Sequence, residues 1–233
     1  ISVVPSNPKC NSVCNGSIAT TPSGGTGTIT YSWSPSGSGQ NPTGLCSGIY
    51  ALQAVDGNSC MTSTVVTLSN PPAILANITT TNPACAGDCN GIVVTTPTNA
   101  VGTVSVVWSA STAINSKTLT GQCTGTNYAV TITDANGCVD TQTYNLSTAP
   151  AMSVNFSSIP AACTQSNGAI TLIPTGGSPG YNYTWTPIGN PNISIGNTIS
   201  ATGIPQGTYA VVVRDVNNCS VTANILLSNS NGP

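Results

Sequence analysis

The chain has almost no charge. Only 3% of its 233 residues are charged: the bases are Lys9, Lys117 and Arg214, and the acids are Asp56, Asp88, Asp134, Asp140 and Asp215. Glutamate and histidine do not occur. Three cations cannot neutralise a run of phosphates, which excludes nucleic acid as a partner. Nor can they form a patch for anionic lipid headgroups. No apolar run approaches the ~20 residues of a membrane helix, so direct membrane insertion is not expected. Without histidine, a serine or cysteine nucleophile has no imidazole base. Carboxylate-pair catalysis needs two acids in one site, and only Asp134 and Asp140 lie close in sequence, flanking an expected hairpin. The composition points away from an enzyme, and no cofactor is expected. The chain starts at Ile1 with neither an initiator methionine nor a signal-type segment, as a processed chain or an excised stretch of a longer one would.

What is present is cysteine, threonine, asparagine and glycine. Ten cysteines point to an oxidising compartment, so a secreted or cell-surface location is expected. The close pairs Cys10/Cys14 and Cys85/Cys89 have CxxxC spacing with no histidine nearby, which favours disulfides over zinc. The apolar residues (39%) are dispersed and largely β-branched, the material of strands and turns.

Internal repetition settles the organisation. Asn15-Gly16-Ser17-Ile18 recurs as Asn90-Gly91-Ile92-Val93 and Asn167-Gly168-Ala169-Ile170. A strand ending in tryptophan recurs at Trp33, Trp108 and Trp185, and Tyr-Ala recurs at Tyr50, Tyr128 and Tyr209. An Asp-x-Asn turn leading to cysteine recurs at Asp56–Cys60, Asp134–Cys138 and Asp215–Cys219. Proline marks the boundaries, giving expected domains at 1–72, 73–150 and 151–233. Linkers this short allow neighbouring repeats little freedom. Ile29, Tyr31 and Trp33 alternate with polar residues, the period of a half-buried strand. About seven short strands per repeat, with no helical periodicity, predict three tandem immunoglobulin-like β-sandwich domains, all-β and disulfide-stapled.

Cysteine pairing follows by subtraction. The third repeat keeps only Cys163 and Cys219, which align with Cys10 and Cys60 and with Cys85 and Cys138. The pair it lacks aligns with Cys14 and Cys46 and with Cys89 and Cys123. Cysteines lost together are read as bonded together. The expected bridges are Cys10–Cys60, Cys14–Cys46, Cys85–Cys138, Cys89–Cys123 and Cys163–Cys219.

The recurring string of Cys, Asn-Gly, Gly-Gly, a Tyr-x-Trp strand, Gly-x-Tyr and Asp-x-Asn-x-Cys resembles the SprB-type repeat of Bacteroidota cell-surface and gliding adhesins. The third repeat fits best, through Gly176-Gly177, Tyr181–Trp185 and Gly207-Thr208-Tyr209. The second departs at Asn99-Ala100, where the double glycine is missing. The resemblance implies secretion, surface display and a structural or adhesive role, with no catalytic residues.

Other chemistry is weighed against plainer readings. Each Asp-x-Asn turn offers one carboxylate where calcium wants six to eight oxygens, so a hydrogen-bonded turn is favoured. The threonines keep no short fixed period suited to ice, and the tryptophans read as core rather than as sugar platforms. Asn-x-Ser/Thr sequons at Asn15, Asn77, Asn145, Asn155, Asn182, Asn192 and Asn218 are candidate glycosylation sites.

The expected function is a structural subunit of a pilus-like surface filament, its partners being copies of itself. Ile1, Ser2, Val3 and Val4, or the segment with Ile225, Leu226 and Leu227, would join a neighbour by β-strand addition. The alternative is a segment of a large adhesin that binds polysaccharide or other surface ligands.

Overall fold

A computed structural model describes residues 1–109, 115–189 and 195–230. Among these residues there are eighteen strands in six three-stranded sheets, and no helix. In the first repeat the strands are β1 (Ser2–Ser6), β2 (Gly16–Thr21), β3 (Thr30–Ser34), β4 (Thr43–Leu45), β5 (Gly48–Val55) and β6 (Met61–Leu68). They form two antiparallel sheets, ordered β1-β2-β4 and β3-β5-β6. Alternation decides which face is buried: along β5, Tyr50, Leu52 and Ala54 point inward while Ala51 and Gln53 face solvent. Ile18 and Leu45 from one sheet share a core with Trp33, Leu52 and Leu68 from the other.

The third repeat follows the same plan. Its strands are β13 (Ser153–Ile159), β14 (Gly168–Thr175), β15 (Asn182–Ile188), β16 (Ser200–Ile204), β17 (Gly207–Arg214) and β18 (Ser220–Leu227). The sheets are β13-β14-β16 and β15-β17-β18, closed on a core of Ile170, Leu172 and Ile204 with Trp185, Val211 and Ile225. In the second repeat, β7 (Ile78–Thr81), β8 (Gly91–Thr95) and β10 (Thr118–Gln122) form one sheet. The other holds β9 (Ser105–Trp108), β11 (Gly125–Thr133) and β12 (Val139–Leu146).

In the first repeat, which is described throughout, six strands form rather than about seven. Between β3 and β4 the chain forms a loop instead of a strand, and Gly39 in that loop accepts the Trp33 indole N–H at 3.0 Å. Trp185 is held alike, donating to the Thr198 carbonyl at 2.9 Å. Two tyrosines fold back on their own strand entrances. Tyr50 donates to the Cys46 carbonyl at 2.9 Å and Tyr209 to the Pro205 carbonyl at 2.6 Å, the corner contact of immunoglobulin-like sandwiches. Burial pushes the Tyr209 hydroxyl above its usual pKa.

The chain divides into two compact units, one of residues 1–78, 95–117 and 128–143, the other of 79–94, 118–127 and 144–233. The division runs through the second repeat: β9 lies in the first unit and β10 in the second.

Each outer repeat has two poles. In the first, β5 runs from Gly48, opposite Leu68, to Val55, opposite Met61. The Gly48 pole carries the turn from Pro8 to Gly16, and the Val55 pole carries Asp56 and Cys60. Eight strand residues separate the poles by about 25 Å.

Candidate assembly interface at the cysteine junctions

The Asp-x-Asn turn is a preformed cysteine holder. One carboxylate oxygen of Asp56 accepts the N–H groups of Asn58 and Cys60, at 2.9 and 2.8 Å. Asp134 grips Asn136 and Cys138 at 2.9 Å each, and Asp215 grips Asn217 and Cys219 at 2.9 Å each. The second oxygen reaches across the pole to the loop before the tryptophan strand, accepting N–H groups of Thr26, Val101 and Ser178 respectively. Charge-assisted bonds to several backbone donors favour the ionised form. The Cys60 and Thr26 amides, against some burial, hold Asp56 below the usual carboxyl range. For Asp134 burial pushes upward, but the amides of Val101, Cys138 and Asn136 together outweigh it and the net shift is downward. Asp215 is lowered, first by the Ser178 amide. These are turn-forming carboxylates. Asp140, the other acid once considered for catalysis, accepts the Ala76 N–H at 2.8 Å and so fastens the first linker. Among the described residues no cluster of His, Cys, Asp or Glu suits a metal ion.

The opposite pole presents the other cysteine. The Asn-Gly pair explains itself there. Asn15, Asn90 and Asn167 each accept the N–H of the residue preceding the repeat's first cysteine: Lys9 at 2.8 Å, Ala84 at 3.0 Å and Ala162 at 2.8 Å. Glycine follows because a Cβ at Gly16, Gly91 or Gly168 would stand 3.0, 2.9 or 3.0 Å from the carbonyl oxygen of Leu45, Gln122 or Ile204.

The disulfides join the poles of successive repeats. Cys14 bonds Cys46 and Cys89 bonds Cys123, each within its own repeat. The expected Cys10–Cys60, Cys85–Cys138 and Cys163–Cys219 bridges do not form. Instead Cys10 bonds Cys138, and Cys85 bonds Cys219, each with a Cα separation of 5.4 Å. Cys60 and Cys163 are exposed thiols. The reason is geometric: a disulfide needs Cα atoms within about 7 Å, whereas Cys10 and Cys60 occupy opposite poles of one sandwich. The same separation along β17 keeps Cys163 from Cys219. Alignment identified which cysteines correspond; the expectation failed in closing each repeat on itself. In the folded chain Gly16 stands opposite Leu45 at one end of the sandwich, while Asp56 follows Val55 at the other.

The two junctions are alike in detail. The Cys138 sulfur lies 3.3 Å from the Lys9 carbonyl, and the Cys219 sulfur lies 3.3 Å from the Ala84 carbonyl. Both linkers are pinned nearby: Asn11 donates to the Pro71 carbonyl at 2.8 Å, and the Gly177 N–H donates to the Pro150 carbonyl at 2.7 Å.

The segments considered for strand addition already serve their own repeats. Ser2–Ser6 pairs with β2, and Ile1 and Val3 pack on the first core. Ile225 and Leu227 lie within the third core, and Leu226 between them is exposed on β18. Moving either strand to a neighbour would open its own sandwich, so neither is a spare strand. Among the sequons, Asn15, Asn77, Asn145, Asn155, Asn182 and Asn218 are exposed. The Asn77 amide donates to the Thr96 carbonyl and to Thr98, and Asn192 lies outside the described residues.

Sandwich sheets, tryptophan cores, tyrosine corners and cysteine-linked poles define a tandem immunoglobulin-like repeat protein. Residues 2–38, in the first repeat, and 155–190, in the third, match the family model of the SprB repeat. No curated protein matches the chain. Among solved structures, the N-terminal eight Ig domains of Down Syndrome Cell Adhesion Molecule align over 97% of this chain and 42% of that one, at 12% identity and a TM-score of 0.41. The Ig1–Ig3 ectodomain of mouse nectin-like molecule 4 aligns over 81% of this chain and 76% of that one, at 12% identity and a TM-score of 0.32. The chain therefore spans less than half the length of the first. The fold assignment rests on the strand order and cores described above.

Proposed function

We propose that the chain is a non-enzymatic structural subunit of an extracellular surface filament, in which copies follow one another head to tail. The observation that carries this reading is the offset of the disulfides. The first cysteine of one repeat bonds the last cysteine of the next, twice over, with matching contacts. Such a contact joins unlike surfaces, and heterologous contacts propagate into open fibres when they do not close into rings. A covalent staple at each junction suits a thread under tension, because pulling cannot separate neighbouring repeats while the bridge stands. The SprB match supports a cell-surface setting. Strand addition would have to use the outer edges of β1 or β18, since both strands already pair within their own sheets.

The sparse surface charge bears on solubility, and sugars on the exposed sequon asparagines would supply hydration in its place. Negative-stain microscopy of the full chain under oxidising conditions tests the filament reading. Threads of uniform width are expected. A monodisperse monomer with saturable binding on a glycan array would instead favour the adhesin-segment reading.

A further inference from the structure

Two cysteines stand outside the offset pattern, and they are complementary. Cys60 is a last-type cysteine whose Asp56 turn is formed as fully as those holding Cys138 and Cys219. Cys163 is a first-type cysteine whose preceding amide is capped by Asn167, as Lys9 and Ala84 are capped. Both thiols are exposed.

The surface around Cys60 matches the bridged poles. At the second junction the Cys85 turn lies in a groove with Pro150, Met152, Gly177 and Cys219. At the first, the Cys10 turn lies with Pro71, Asp134 and Cys138. The Cys60 pole has its own groove, walled by Ile1, Gly25, Asp56, Cys60 and Met61, and no cysteine turn lines it. Gly25 and Gly177 hold the same place in their repeats, both with positive φ beside the turn aspartate.

We propose that Cys60 of one copy and Cys163 of a second copy form an intermolecular disulfide, repeating between chains the junction that Cys10–Cys138 and Cys85–Cys219 make within one. The proposal rests on the filament reading and supplies its joint. The occupant of the Cys60 groove is the Ala162–Asn167 turn of the neighbouring copy. That turn is one residue shorter than its counterparts between cysteine and Asn-Gly, and it closes through the Gln165 N–H on the Ala162 carbonyl at 3.0 Å. The Cys163 sulfur rests only 4.0 Å from the Ser230 carbonyl, a contact that leaves it open to attack from outside.

The oxidant is a disulfide of small-molecule thiols. The Cys60 thiolate attacks one sulfur of that disulfide and expels a thiolate. The Cys163 thiolate then attacks the mixed-disulfide sulfur on Cys60 and expels the second. Cys60 and Cys163 together lose two electrons and two protons. The small-molecule disulfide accepts both and leaves as two thiols.

The full chain, concentrated with glutathione disulfide and run on a non-reducing gel, is expected to give a ladder at multiples of 23.2 kDa that collapses on reduction. Mixing Cys60→Ser with Cys163→Ser protein tests the polarity, since that mixture has one head and one tail. It should stop at a dimer, at least tenfold more abundant than in either variant alone. Alkylating the native monomer without reduction should add two groups, at Cys60 and Cys163, and abolish the ladder without any mutation. A ladder that survives alkylation, or variants that dimerise alone as well as together, would overturn the proposal. Uniform filaments with no ladder would sink the disulfide and leave the filament reading standing; neither filaments nor ladder would sink both.

Discussion

Replacing Cys10 and Cys138 together by serine removes one junction staple and leaves every strand in place. The cost can be worked from the chain. The two residues are 128 apart, and the surviving Cys14–Cys46 and Cys89–Cys123 bridges bypass 32 and 34 of those, so the staple closes a ring of about 62 residues. Chain entropy assigns a ring of that size about 4.3 kcal/mol, and measured disulfides more often give about 2–4 kcal/mol. At roughly 2–4 °C per kcal/mol for a chain of this size, the first unit should melt roughly 5–15 °C lower. Scanning calorimetry of isolated monomer reads the shift, with Cys60→Ser as the control. Cys60 is an unbridged, exposed thiol, so its serine variant should melt with the parent. An unchanged midpoint in the double variant, or a Cys60→Ser midpoint as low as the double variant's, would refute the reasoning.

Trp185→Ala should cost about 3–5 kcal/mol, because a core indole and its bond to the Thr198 carbonyl are both lost; urea titration of the third repeat reads this directly. Tyr209→Phe should cost about 1 kcal/mol and leave the fold unchanged, since it deletes only the corner hydroxyl bonded to the Pro205 carbonyl; a null effect in the same titration would count against that bond's role. The three turn aspartates bind protons less readily in the folded chain than in the unfolded one. Their stabilisation is complete above the unfolded value near pH 4 and is lost as pH falls through the lower folded values, so melting temperature should drop on acidification below about pH 4; a rise there would contradict the shifts. Chains from the native source should carry extra mass on the exposed sequon asparagines, and an intact mass equal to the bare disulfide-bonded polypeptide would rule this out.

Much of the fold was legible because its signals are local. Alternation along Tyr31–Trp33 and Tyr209–Val213 marks strands by period alone. The Asp-x-Asn strings mark turns because the carboxylate bonds amides two and four residues on. The short-range bridges Cys14–Cys46 and Cys89–Cys123 could be paired by comparing repeats. The long-range bridges could not, because their partners depend on which pole of the sandwich each cysteine occupies. That follows from strand direction, not from the identity of neighbours. The tryptophan strand likewise gave no sign that the stretch from Pro35 to Pro42 would form a loop answering the indole. Ile225 and Leu227 read in sequence as part of a segment that would join a neighbour, yet they face inward on β18 and fill the third core.

Peptide mapping of non-reduced monomer tests the central claim most directly. Digestion under conditions that block thiol exchange should yield one linked pair containing Cys10 and Cys138 and another containing Cys85 and Cys219, with Cys60 and Cys163 recovered alkylated. Recovery of Cys10 with Cys60, or of Cys163 with Cys219, would contradict the account, for each repeat would then close on itself and no offset would remain to carry from one chain to the next.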